Sequence, residues 1–126
     1  MTSTTIRGIP VTFPFPPYDI QVNYMEKVLE CLQERQNGVL ESPTGTGKTL
    51  SLLCASLAWL EMKKAQIQAQ RHTLSEDFLK ELNIISGENS TRGLLGTPTI
   101  IYASRTHTQL SQAMQELKRT CYNHMK

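Results

Sequence analysis

The sequence predicts an α/β fold of three layers, a parallel sheet with helices on both faces, and three observations carry that prediction. Short β-branched runs alternate with stretches of helical periodicity, the order that builds parallel sheets. One such run leads straight into a glycine-bearing turn and then a helix, at "ESPTGTGKT" (41–49). Finally, 39% apolar and 19% charged residues over 126 positions is the balance of a cored globular chain.

The elements follow in chain order. Residues 1–17 are a turn-rich lead-in, in which "IPVTF" reads as a short strand and Pro10, Pro14, Pro16 and Pro17 keep the rest extended. From Asp19 the spacing turns helical: Ile20, Tyr24, Val28, Cys31 and Leu32 form one stripe, widened by Met25 and Leu29. That helix is expected to stop near Asn37 and Gly38, where a left-handed cap costs little. "VLES" then reads as a buried strand entering the glycine turn, and Leu50, Leu53, Cys54, Leu57, Trp59 and Leu60 mark a helix to about Lys64. Residues 65–98 read as an insertion with a short helix in "TLSEDFLKEL". "TIIYAS" (99–104) reads as a further strand, and Leu110, Met114 and Leu117 as the apolar face of a last helix. The domain divisions are therefore 1–17, 18–64, 65–98 and 99–126.

Composition excludes several classes. The longest nearly apolar run, Leu50 to Leu60, is far short of the about 20 residues that span a bilayer, and the first residues have no apolar core of the secretory kind, so an intracellular protein without a membrane segment is expected. Cys31, Cys54 and Cys121 form no metal-binding spacing. The net charge of +2 is small, but residues 99–126 hold four basic side chains against one acid. Such an end suits a phosphate-bearing partner and equally suits a solvated helix face.

The glycine turn carries the most specific chemistry. A polyphosphate needs backbone N–H donors with no side chains in the way, which Gly45 and Gly47 allow, and the N-terminus of the next helix faces the same anion. Lys48 supplies the charge for the β and γ phosphates, and the Thr49 hydroxyl is a hard ligand for Mg²⁺. Ser42, Pro43, Thr44 and Thr46 complete this P-loop, with Ser42 where the general pattern has its first glycine. Upstream, the Tyr18 ring can stack a purine and the Gln21 amide can pair with adenine N6 and N7, giving ATP as the nucleotide. The plainer alternative packs Tyr18 under the loop and leaves Gln21 in solvent. At "SRTHTQ", Ser104, Thr106 and the first helical N–H groups can hold a phosphate of a single strand, with Arg105 adding charge and His107 beside them. An ordinary helix cap at Thr106 and a surface histidine at His107 is the other reading.

Taken together, residues 9–64 and 98–122 resemble the start of the iron–sulfur DNA helicases of superfamily 2, the XPD-like group. In that family the adenine motif falls on Tyr18 and Gln21, the P-loop on Ser42 to Thr49, and a strand-contacting motif on Ala103 to Gln109; the family tolerates a non-glycine residue at Ser42. The resemblance implies a RecA-like domain, of which this chain is the N-terminal portion. It further implies ATP and Mg²⁺, single-stranded or branched DNA as partner, a nuclear place of work in DNA repair, recombination and telomere maintenance, and an iron–sulfur cluster held further downstream. The family's Asp-Glu-Ala-His segment, its four cluster cysteines and its second lobe are absent from these residues. The chain is thus expected to hold nucleotide without a catalytic base of its own. A nucleotide- or nucleic-acid-binding product without turnover, or another P-loop ATPase, is the alternative. A GTPase is disfavoured because no N-K-x-D sequence occurs.

Overall fold

In the computed structural model, which describes residues 1–43, 47–73 and 98–124, the chain begins with a hairpin. Strand β1 (Thr2–Ile6) pairs antiparallel with β2 (Ile9–Phe13), in a register that sets Ile6 against Ile9 and Thr2 against Phe13. Arg7 and Gly8 make the two-residue turn, both at positive φ (50° and 79°), the geometry whose twist matches the strands it joins. Arginine is a poor residue there. It is held by its partners: Nε donates to Gln33 Oε1 at 2.7 Å, and its carbonyl accepts from Gln33 Nε2 at 3.0 Å. Alternation puts Ile9, Val11 and Phe13 in the core, each 1% exposed.

Helix α1 (Asp19–Glu34) starts where Tyr18, in extended conformation, donates its N–H to the Gln21 side-chain oxygen at 2.9 Å, one half of a capping box. Its buried face is Gln21, Met25, Val28 and Leu29. Ile20, expected on that face, is exposed, because the helix is rotated to turn Gln21 inward. The helix also ends earlier than expected, with Arg35 rather than Asn37 or Gly38 taking the left-handed cap at φ 55°.

Helix α2 (Lys48–Thr73) extends well past Lys64. From Leu50 to Ala58 it is buried almost all round, and small residues (Ser51, Cys54, Ala55, Ser56, Ala58) let neighbours approach closely. Helix α3 (His107–Lys118) is capped by Thr106, whose hydroxyl accepts from Gln109 N–H at 3.2 Å. It buries Ala113 and Leu117, while Met114 is exposed. The expected stripe holds at Leu117 and, half-buried, at Leu110, while Ala113 takes the buried place expected for Met114. Beyond α3, Thr120 and Tyr122 are buried, and the Tyr122 hydroxyl accepts the Thr12 N–H at 3.0 Å on the outer edge of β2.

Helices and a sheet are both present, so the class is α/β, but among the described residues the only sheet is the antiparallel hairpin. Among the described residues, 39–42 and 99–104, expected as strands, form no strand and join no sheet. A strand exists through its ladder, and β-branched composition alone cannot supply one. Val39 and Ile101 accordingly lie open to solvent, 95% and 87% exposed. Two compact units divide the chain, one of Met1–Trp59 with Ile100–Lys126 and one of Leu60–Thr99. The expected helix in "TLSEDFLKEL" lies outside the described residues. No described helix is long and apolar enough to cross a membrane.

Candidate nucleotide site

The first unit contains a cleft of about 930 Å³. The N-terminus of α2 forms one side of it, with Gly47, Lys48, Thr49 and Leu50. Gly47 sits at φ 73°, a conformation that favours glycine. A Cβ there would also lie 2.7 Å from the Gln21 side-chain nitrogen, so the position is closed to side chains twice over. Ser51 N–H donates to the Gly47 carbonyl at 3.0 Å, the first helical bond of α2. The N–H groups ahead of it have no acceptor within the helix, which is how a helix start comes to gather an anion. Lys48 is exposed and Thr49 half-buried in this first turn.

Phe15, Tyr18 and Gln21 line the same cleft. Tyr18 is 68% exposed, as a stacking surface must be. Gln21 differs from the solvated side chain of the plainer alternative: it is 4% exposed, its oxygen engaged by Tyr18 N–H and its nitrogen packed toward Gly47. The amide therefore joins the start of α1 to the start of α2. Ser42 is half-buried and Pro43 exposed beside the turn, and Thr44, Gly45 and Thr46 lie outside the described residues.

Of the residues assigned to a nucleic-acid strand, Ser104 also lines this cleft, where its hydroxyl donates to Gln109 Oε1 at 2.7 Å. Arg105, Thr106 and His107 are exposed at the start of α3 and are not part of the lining. Tyr102 and Phe15 are lining residues that the sequence reading missed; Phe15 had a signal, the aromatic spacing in "FPFPPY".

Metal chemistry divides in two. Thr49 offers one hard oxygen of the kind Mg²⁺ takes beside phosphates, water and a carboxylate, so the residues present fit part of the shell of a Mg-nucleotide. They do not fit an iron–sulfur cluster: Cys31 is half-buried, Cys54 buried and Cys121 exposed, and no group of three His, Cys, Asp or Glu among the described residues could hold a metal. Burial pushes the Cys54 thiol up to about 12, with smaller contributions from Cys121 and Glu116, which keeps it protonated and unreactive at neutral pH.

The family pattern of the type III restriction enzyme res subunit matches residues 14–123. Curated relatives align over the whole chain. The regulator of telomere elongation helicase 1 homolog of Culex quinquefasciatus is 53% identical, that of Drosophila virilis 53% and that of Aedes aegypti 50%. The chain spans only 15%, 13% and 14% of these proteins respectively. No solved structure matches the chain.

Proposed function

The chain belongs to the family of the type III restriction enzyme res subunit, and from that premise we propose that it is the ATP-binding segment of an ATP-dependent DNA helicase. The single observation that carries this reading is the shared cleft: an anion-gathering helix start with Lys48 and Thr49 stands beside an aromatic and an amide, Tyr18 and Gln21, at the start of another helix. A triphosphate laid along α2 would meet the Gly47 to Leu50 backbone and Lys48. Thr49 would hold a Mg²⁺ ion, which would supply positive charge to the phosphates, and the base would reach Tyr18.

The relatives' printed name, a regulator of telomere elongation helicase, supports helicase action at telomeres; DNA repair, recombination and a nuclear place of work belong to the same proposal. On this reading the partner is single-stranded or branched DNA, held by Ser104, Arg105, Thr106 and His107 through phosphate contacts that position a strand without reading its bases. The three-layer, RecA-like parallel sheet belongs to the same proposal, with residues 39–42 and 99–104 becoming strands once neighbours lie beside them. An iron–sulfur cluster, if the whole protein has one, uses cysteines other than these three.

Titration calorimetry with Mg-ATP tests the reading. Lys48→Ala should remove most binding, because it deletes the positive charge that the turn supplies to the outer phosphates, while the thermal midpoint stays within a few degrees. Unchanged ATP affinity in a folded Lys48→Ala protein would refute the assignment. GTP should compete poorly with ATP, since guanine presents the wrong donor and acceptor order to an amide.

A further inference from the structure

Three aromatic rings form a line from the core to the cleft. Phe13, on β2, is 1% exposed. Phe15 stands edge-on to it, with ring centroids 5.0 Å apart and planes at 85°, the favoured T-shaped arrangement. Tyr18 follows at 6.4 Å with a 53° tilt, and its ring is largely in solvent at the mouth of the cleft. Phe15 itself is half-buried and lines the cleft. The residues between the rings are Pro14, Pro16 and Pro17. Each fixes its own φ and restricts its predecessor, so the spacer has few conformations to lose on binding.

Tyr18 is thus held at two points. Its backbone is held by the Gln21 oxygen and its ring is backed by Phe15, which rests in turn on the fully buried ring of Phe13. An exposed tyrosine on a flexible segment would have to be ordered by the ligand. Here the ordering is built into the chain, and a stacking surface that needs no reorganisation gives more of its contact energy to the ligand.

We propose that Phe15 is a positioning residue for a base-stacking platform, holding the Tyr18 ring where a purine of the bound nucleotide lies against it. This rests on the reading of the cleft as an ATP site and adds to it a residue and a preference: the platform favours the large faces of purines over those of pyrimidines, whatever hydrogen bonds the amide makes. The contribution should be confined to the base, because the rings offer apolar faces while Lys48, Thr49 and the start of α2 supply the charge and donors that phosphates need.

The experiment compares Mg-ATP with Mg-tripolyphosphate, which has the phosphates and no base, by calorimetry on the full chain and on Phe15→Leu and Phe15→Tyr. Leucine keeps an apolar side chain against Phe13 and removes the ring, and a thermal melt confirms folding. Phe15→Leu should weaken ATP binding by roughly 3- to 10-fold, the size of an aromatic pair's contribution. Tripolyphosphate should change by less than about twofold, and Phe15→Tyr should restore ATP affinity to near the parent value. An unchanged ATP affinity in Phe15→Leu would overturn the proposal. An equal loss for both ligands would do so too, since it would place the effect in the turn or in folding. If the parent chain bound ATP no more tightly than tripolyphosphate, the ATP reading would fall and the platform with it.

Discussion

The second strand of the hairpin and two other apolar runs that read as strands have opposite fates. "IPVTF" is β2, with Ile9, Val11 and Phe13 fully covered, whereas "VLES" and "TIIYAS" are equally β-prone and leave Val39 and Ile101 in solvent. Position in the chain separates them. β2 has a partner two residues upstream, so its ladder closes a very short loop at little entropic cost. The other two runs have no complementary strand nearby in sequence, and among the described residues no strand from further away joins them in a sheet. Strand propensity is therefore permissive, and the partner decides.

Substitutions on the two sides of this contrast should differ most in stability. Phe13→Ala should cost about 3 to 5 kcal/mol, as large-to-small changes at buried aromatics do, while Ile101→Ala should stay within about 0.5 kcal/mol because it removes no contact. Urea denaturation of both variants measures the difference, and comparable losses would mean that the 99–104 run is packed in solution. A smaller effect tests how β2 is closed on its outer side. Tyr122→Phe strips the acceptor from Thr12 N–H and should cost about 1 to 3 kcal/mol, with faster amide exchange at Thr12.

Gly47→Ala sharpens the comparison at the cleft, where backbone geometry rather than pairing fixes the chain. Positive φ and the crowding by Gln21 together should cost about 1 to 2 kcal/mol. Gly47→Ala made in a Gln21→Ala background should cost less than in the parent, because only the crowding is relieved; strict additivity in that double-mutant cycle would dissociate the two residues. A still smaller loss belongs to α3. Thr106→Ala should lose about 1 kcal/mol through its cap, and Thr106→Ser should recover most of it.

What the sequence disclosed and what it withheld follow the range of the forces involved. β2, the opening of α2 at Lys48 and Thr49, and the start of α1 after Tyr18 were legible because neighbouring residues determine them. β1 escaped notice because "TSTTI" has one large apolar residue and its turn is Arg-Gly, with a residue that seldom accepts positive φ. Arg35 hid the end of α1 for the same reason. Long-range packing hid the remainder: the rotation that buries Gln21, the preference of α3 for Ala113 over Met114, and the approach of Phe15 to the cleft all depend on what lies opposite. The P-loop motif announced a nucleotide site, but only the folded chain joins its glycine to the amide of α1.

The bond from Thr12 to Tyr122 joins residues 110 positions apart, which makes it a matter of timing as well as of stability. At a synthesis rate of about 5 to 20 residues per second, roughly 5 to 20 s separate the appearance of β2 from that of the side chain that closes its edge. For that interval a nascent hairpin would present an open rim to other nascent chains, the situation that leads to edge-to-edge aggregation. Pro10 bears on this interval. It lies two residues before Thr12 on the same rim and brings no N–H to it, so the waiting edge has one donor fewer to offer a stranger. The proline that looks like a flaw in a strand guards the hairpin until Tyr122 is made.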